Sequence, residues 1–232
     1  MSFVVANWKM NLNTQSIYDL VCALIKVKTS HTLVLCPPFP YLSFVSHLTT
    51  LTDIAVGGQT CSSFNEGAYT GEVSASMLQD MGCTYVILGH SERRSVFFED
   101  GLQLQQKTEQ AYAQGLKVIF CVGETIEQRE AGQTLEVIEK QLCEGLAEKA
   151  SRENTLIAYE PLWAIGTGKT PTCQDIEEVS QHLRKTHGFP VLYGGSVNES
   201  NIQDFFKIQG IEGVLVGGAS LKAASFIKMI QD

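Results

Sequence analysis

Charge is scarce in this chain. Only 18% of its 232 residues are charged, and the basic ones are the scarcer kind, 17 Lys and Arg against 25 Asp and Glu. The resulting net charge of -8 excludes a broad basic surface for nucleic acid or anionic membrane. No apolar run approaches the ~18 residues that mark a membrane span. The first one, in MSFVVANWKM, is broken by Asn7 and Lys9, too early for a signal-peptide core. No two of the seven cysteines (Cys22, Cys36, Cys61, Cys83, Cys121, Cys143 and Cys173) form a C-x-x-C pair, so zinc and thiol redox chemistry are not expected. Reduced, mostly buried thiols of a cytoplasmic protein are. The five histidines contain no metal-ligand spacing such as H-E-x-x-H. No G-x-G-x-x-G follows the first apolar run, which removes the dinucleotide fingerprint. Low-complexity segments, charge blocks and linkers are absent too, so residues 1–232 are expected to form one domain.

What the chain does have is 44% hydrophobic residues, arranged as short β-branched runs alternating with amphipathic stretches. The runs predict strands at Phe3–Asn7, Thr32–Leu35, Ile54–Gly57, Tyr85–Leu88, Lys117–Val122, Thr155–Tyr159, Val191–Tyr193 and Gly213–Val216. Most are continuously apolar, as parallel strands covered on both faces must be. Between them, Ile17, Leu20, Val21 and Leu24 recur at helical spacing, as do Leu135, Ile138, Leu142 and Leu146, and Ile176, Val179 and Leu183. Strand–helix alternation predicts a parallel sheet, and eight units in this length favour a closed (β/α)8 TIM barrel over an open sheet. One connection, GQTCSSFNEGAYTGEVS (58–74), far exceeds the usual ~2–6 residues and is expected to serve function or an interface.

In such a barrel, chemistry gathers at the C-terminal ends of the strands. Glu160 follows LIAY and precedes Pro161, which favours an extended residue before it. A carboxylate shielded by apolar neighbours makes a useful base. His90 follows YVILG at an expected helix start, where the positive helix end favours a neutral, hydrogen-bond-donating ring. His31, His47, His182 and His187 lack that setting and read as surface or loop residues. Lys9 could bring local positive charge to an anionic substrate that the acidic protein otherwise repels. The pairs Gly194-Gly195 and Gly217-Gly218 end the last two strands, where barrels bind phosphate through backbone N–H groups. PLWAIGTGKT (161–170) could be a lid that excludes water. Each feature alone also fits a plainer role: a surface glutamate, a structural histidine, a snorkelling lysine, ordinary turns, a permanently docked loop.

Taken together, NWKMN (7–11), GHSERR (89–94), CVGET (121–125), AYEPLWAIGTGKT (158–170), YGGSV (193–197) and VGGASL (216–221) closely resemble the triosephosphate isomerase family. GAYTGEVSASML (67–78) resembles that family's subunit-contacting loop and its following helix. The resemblance implies a single (β/α)8 barrel interconverting D-glyceraldehyde 3-phosphate and dihydroxyacetone phosphate through an enediol, in glycolysis and gluconeogenesis. It implies Glu160 as the base, His90 as the electrophile, Lys9 as the electrostatic stabiliser and Asn7 as a positioning residue. Asn7, Lys9, Gly166, Ser196, Gly217 and Gly218 would hold the phosphate-bearing substrate, with Ser91, Glu92 and Cys121 as supports and Glu124 in a structural role. No cofactor or metal is implied. A homodimer is, with the 65–73 loop reaching the neighbour near Asn7, Lys9 and His90. Glu160 to Ser196 is roughly ten residues shorter than the family's usual length, against a barrel of ~250 residues, which thins the outer layer near the sixth helix. Two other readings stay open: a Schiff-base aldolase using Lys9, and a phosphate-binding barrel without catalysis.

Overall fold

The computed structural model describes residues 2–164 and 171–231. Its eight strands are β1 (Phe3–Asn7), β2 (Thr32–Cys36), β3 (Ala55–Gly58), β4 (Tyr85–Leu88), β5 (Lys117–Val122), β6 (Thr155–Tyr159), β7 (Val191–Gly194) and β8 (Ile211–Val216). Each pairs in parallel with the next, and β8 returns to β1, so the sheet is a closed barrel. The expected strands are all present, and four of them differ at an end. β2 and β7 run one residue further, and β3 is displaced by one. β8 begins two residues earlier, at Ile211. Gly213 lies inside β8 because a side chain there would meet the Phe3 carbonyl oxygen 2.3 Å away, across the closing seam.

Side chains alternate across each strand, and the barrel turns this alternation into two cores. Val5, Val34, Ile87, Ile119, Leu156, Leu192 and Leu215 fill the interior. Val4, Val86, Phe120, Ile157, Tyr193 and Val216 face the helical layer. The same parity carries on to the strand ends. Asn7 follows Val5, Glu160 follows Ala158, Gly194 follows Leu192 and Gly217 follows Leu215, so all four turn inward at the mouth.

The helical stripes pack as their spacing predicts. Ile17, Leu20, Val21 and Leu24 are buried on the helix Thr14–Leu24, which Asn13 caps by accepting from the Ser16 N–H at 3.0 Å. Ile176, Val179 and Leu183 are buried on Cys173–Thr186, a 14-residue helix that fills the sixth connection. On Thr134–Gly145, Ile138 and Leu142 are buried and Leu135 is half-buried, while Leu146 lies just past the helix as its half-buried, extended C-cap. His182 departs from its surface-or-loop expectation. It is half-buried on its helix, and its Nε2 lies 2.7 Å from Glu139 Oε1, with His187 Nε2 2.9 Å from Glu139 Oε2. Burial pushes the Glu139 carboxyl up, but the hydrogen bonds from His187 and His182 outweigh it and leave the group below the usual carboxylate range. His31 stacks on Phe206, with ring centroids 5.1 Å apart. Among the described residues, no helix is long and apolar enough to cross a membrane.

The long connection after β3 contains neither helix nor strand. It is closed at its base by the Ser62 N–H donating to the Val73 carbonyl at 2.8 Å. At its tip Phe64 and Tyr69 stack face to face, 3.9 Å between centroids, and both remain exposed.

Candidate active site

Nine of the residues singled out in the sequence line one cavity at the C-terminal mouth: Asn7, Lys9, His90, Glu160, Gly194, Gly195, Ser196, Gly217 and Gly218. Its volume is about 400 Å³, within the range of small-molecule sites. Gly166, also expected here, lies outside the described residues, as does most of the expected lid, 165–170.

Glu160 stands one residue beyond β6, and its N–H still donates to the Val122 carbonyl at 2.7 Å, which prolongs the ladder as the following proline favours. Its side chain is 5% exposed. Two glycines create the space it occupies. A side chain on Gly123 would lie 1.8 Å from the Glu160 carbonyl oxygen, and one on Gly194 would lie 2.8 Å from Glu160 Cγ. Gln141 fixes Gly123 from both sides, accepting from its N–H and donating to its carbonyl, each at 2.9 Å. One Glu160 oxygen accepts from the Ser91 N–H at 3.2 Å. The other lies 3.3 Å from His90 Nε2. The fully buried Cys121 thiol lies beside the same carboxylate. Burial first, and the charge of Glu160 second, hold that thiol well above its ordinary pKa.

His90 caps the helix Ser91–Val96, which begins where the sequence predicts. Its Nδ1 accepts from the Glu92 N–H at 3.2 Å. An accepting Nδ1 carries no proton, so the neutral ring bears its hydrogen on Nε2, the nitrogen that faces Glu160. The preceding Gly89 takes a left-handed φ of 71° that a side chain would strain. Arg94 locks this turn by donating to the Gly89 carbonyl at 2.8 Å and the Cys121 carbonyl at 3.2 Å.

Lys9 also has a left-handed backbone, with φ 51°. Its N–H donates to Asn7 Oδ1 at 3.0 Å, and its ammonium contacts Glu92 Oε1 at 2.6 Å. With 30% of its side chain exposed and a carboxylate beside it, Lys9 lacks the desolvated setting that a Schiff-base nucleophile needs. Among the described residues it is the one Lys or Arg lining the cavity, beside the glycine-rich end of β8, where a side chain on Gly217 would lie 3.5 Å from Lys9 Cε.

Sequence reasoning did not find the web around Glu124. This fully buried carboxylate accepts from Tyr159 Oη at 3.1 Å and Trp163 Nε1 at 3.0 Å, and it pairs with Arg129, which also holds Asp175. The web ties the segment after β6 to the neighbouring helices. The only signal for it was the acidic residue in CVGET, read as structural.

A carboxylate, an imidazole and an ammonium lining one small cavity at the mouth of a closed barrel are groups suited to moving a proton between atoms of a bound molecule, as a (β/α)8 isomerase does. The comparisons with known proteins give the same class a family. The triosephosphate isomerase family model matches residues 2–232. The triosephosphate isomerase of Ruegeria sp. (strain TM1040) is 45% identical over 230 residues, covering 95% of this chain and 93% of that protein. That of Moorella thermoacetica is 44% identical over 240 residues, covering 98% and 96%. The crystal structure of triosephosphate isomerase from Bartonella henselae superposes with a TM-score of 0.89 at 35% identity, covering 98% of this chain and 97% of that one. The chain belongs to the triosephosphate isomerase family, the intramolecular aldose–ketose isomerases that interconvert triose phosphates.

Proposed function

We propose that the residues at the mouth divide the work of this isomerisation as follows. The Glu160 carboxylate takes the carbon-bound proton next to the substrate carbonyl. His90 donates its Nε2 hydrogen to the carbonyl oxygen as charge develops there, giving an enediolate or enediol. Glu160 then returns its proton to the neighbouring carbon while His90 moves protons between the two oxygens. Lys9 stabilises the developing negative charge, and Asn7 holds Lys9 and the substrate. Gly166, Ser196, Gly217 and Gly218 receive the phosphate, and Ser91, Glu92 and Cys121 support the acid–base pair. The observation that carries this reading is the 3.3 Å approach of His90 Nε2 and Glu160 on the cavity that also holds Lys9. A substrate lying against both groups meets base and electrophile together, as proton transfer next to a carbonyl requires.

Purified protein is expected to interconvert D-glyceraldehyde 3-phosphate and dihydroxyacetone phosphate in a coupled assay with no metal or nucleotide added. Exhaustive chelation should leave the rate unchanged. Activity lost to chelator and restored by one metal would overturn this mechanism. We read residues 1–232 as one catalytic domain acting in glycolysis and gluconeogenesis. A cytoplasmic location suits its thiols, all seven of which are free and four of which are buried.

We further propose a homodimer through the 65–73 loop. Exposed apolar residues beside the mouth support it, namely Met10, Phe64, Tyr69, Phe97, Phe98 and Leu102. A cavity of about 320 Å³ among Lys9, Met10, Phe39, Gln59, Glu92 and Phe97 could take a partner's loop. Phe98 is the most telling of these residues. It is held at φ 56° with 81% of its surface in water, a conformation costing an L-residue about 1–2 kcal/mol. Burial of this ring against a second copy would offset that cost. Light scattering should give about twice the 25.5 kDa chain mass. Phe98→Gly, which relieves the backbone and removes the ring, should weaken dimerisation by at least ~10-fold, the scale of losing one buried aromatic anchor. An unchanged dimer affinity would remove Phe98 from the interface, and a fully active wild-type monomer at micromolar concentration would remove the dimer.

A further inference from the structure

The residue after β3 reaches back to the mouth. Gln59 Nε2 donates to the Lys9 carbonyl at 2.9 Å and to the Cys36 carbonyl at 2.8 Å. Only the amide nitrogen carries two hydrogens, so two carbonyl acceptors fix the orientation of the side chain. Cys36, at the end of β2, also receives the Trp8 N–H at 3.2 Å, so the turn after β1 is already moored to β2 one residue before Lys9. At Lys9 the backbone is left-handed without being glycine, a state that persists only where its surroundings hold it. Asn7 holds the N–H of Lys9 and Gln59 holds its carbonyl. No other side-chain hydrogen bond to the Lys9 carbonyl is present among the described residues.

We infer that Gln59 is the positioning residue for Lys9, clamping the strained turn so that the ammonium enters the substrate cavity instead of following a relaxed backbone away from it. Gln59 lines the neighbouring cavity rather than the catalytic one and does not touch the reacting groups. It acts through the Lys9 backbone. The inference rests on the proposed role of Lys9, and the test separates the two.

Gln59→Met keeps the length of the side chain but removes both donors. Gln59→Glu keeps its shape and, ionised, offers only acceptors to two carbonyls. kcat and KM are measured for each variant in the wild-type and in the Lys9→Met background, with circular dichroism and oligomer mass on the same samples. Gln59→Met should lower kcat/KM by at least ~10-fold in the wild-type background, since a misplacement of about 1 Å can cost ~100-fold. Gln59→Glu should lose more. With Lys9 already replaced, neither change should alter kcat/KM by more than about twofold, because residues acting through one group are not additive. The same fold-loss in both backgrounds would make Gln59 merely structural and overturn the inference, as would no loss with Lys9 present. A Lys9→Met single variant of near-normal activity would instead overturn the role of Lys9 on which the inference rests.

Discussion

Glu160→Gln is expected to lower kcat by ~100- to 10,000-fold, the contribution of a positioned general base, because an amide cannot take up the substrate's proton. The exchange is nearly isosteric, so the glycine-lined space around the side chain still fits it, and the amide oxygen can still accept from the Ser91 N–H. Glu160→Asp keeps the charge but withdraws it by about 1 Å, for which a ~100-fold loss is expected. Inhibition by inorganic phosphate should change little in either variant, since the proposed anchor at Ser196, Gly217 and Gly218 is separate from the base. Near-normal turnover in Glu160→Gln would mean that another group is the base. Parallel losses of turnover and phosphate affinity would point to a collapsed mouth.

His90→Asn should cost ~100- to 1,000-fold in kcat while leaving the fold almost as stable. His90 has two separable jobs. Its Nδ1 caps the helix Ser91–Val96, and its Nε2 hydrogen faces the cavity. Asparagine is among the best N-cap residues and can accept the Glu92 N–H in place of Nδ1. It is too short to present a donor where Nε2 stands, and removing one such donor costs an oxyanion about this much. The check is kcat beside the urea midpoint of unfolding. A variant that unfolds early and keeps its turnover when folded would reduce His90 to a cap.

Much of this architecture is legible in the residue order because parallel strands buried on both faces must be apolar throughout, and such runs are easy to find. Ile17 to Leu24 and Ile176 to Leu183 declare their helices in the same way. The ends were harder to place. β8 starts at Ile211 instead of Gly213 because closure against Phe3 accepts a residue with no side chain, and a glycine in sequence reads as a break. At the mouth, position on the ends of strands alone marks Asn7, His90 and Glu160 as candidates, and the structure brings them to one cavity. Residues that reach the mouth from elsewhere in the chain carry no such mark. Gln59 and Gln141 are unremarkable glutamines in the chain, and they gain meaning only where folding brings carbonyls from other strands against them. The Glu124 web likewise joins residues up to 46 positions apart, beyond the reach of any local pattern. His182 was misjudged for the same reason, because Glu139 lies 43 positions away.

The seam where β8 meets β1 also bears on how the protein is made. Asn7 and Lys9 leave the ribosome long before Gly217 and Gly218, and all four line the mouth. Phe3 to Ala6 have hydrogen-bonding partners on one edge only after Gly213 to Val216 have been synthesised. Until then β1 is an open edge that β2 alone can cover, and no shorter nascent chain holds a finished site. Contacts this distant in sequence form slowly, since a long loop must close before they contribute. The last strand is therefore both a structural member and the step that completes the catalyst, and the interval before it docks is when the chain is most open to association with its neighbours.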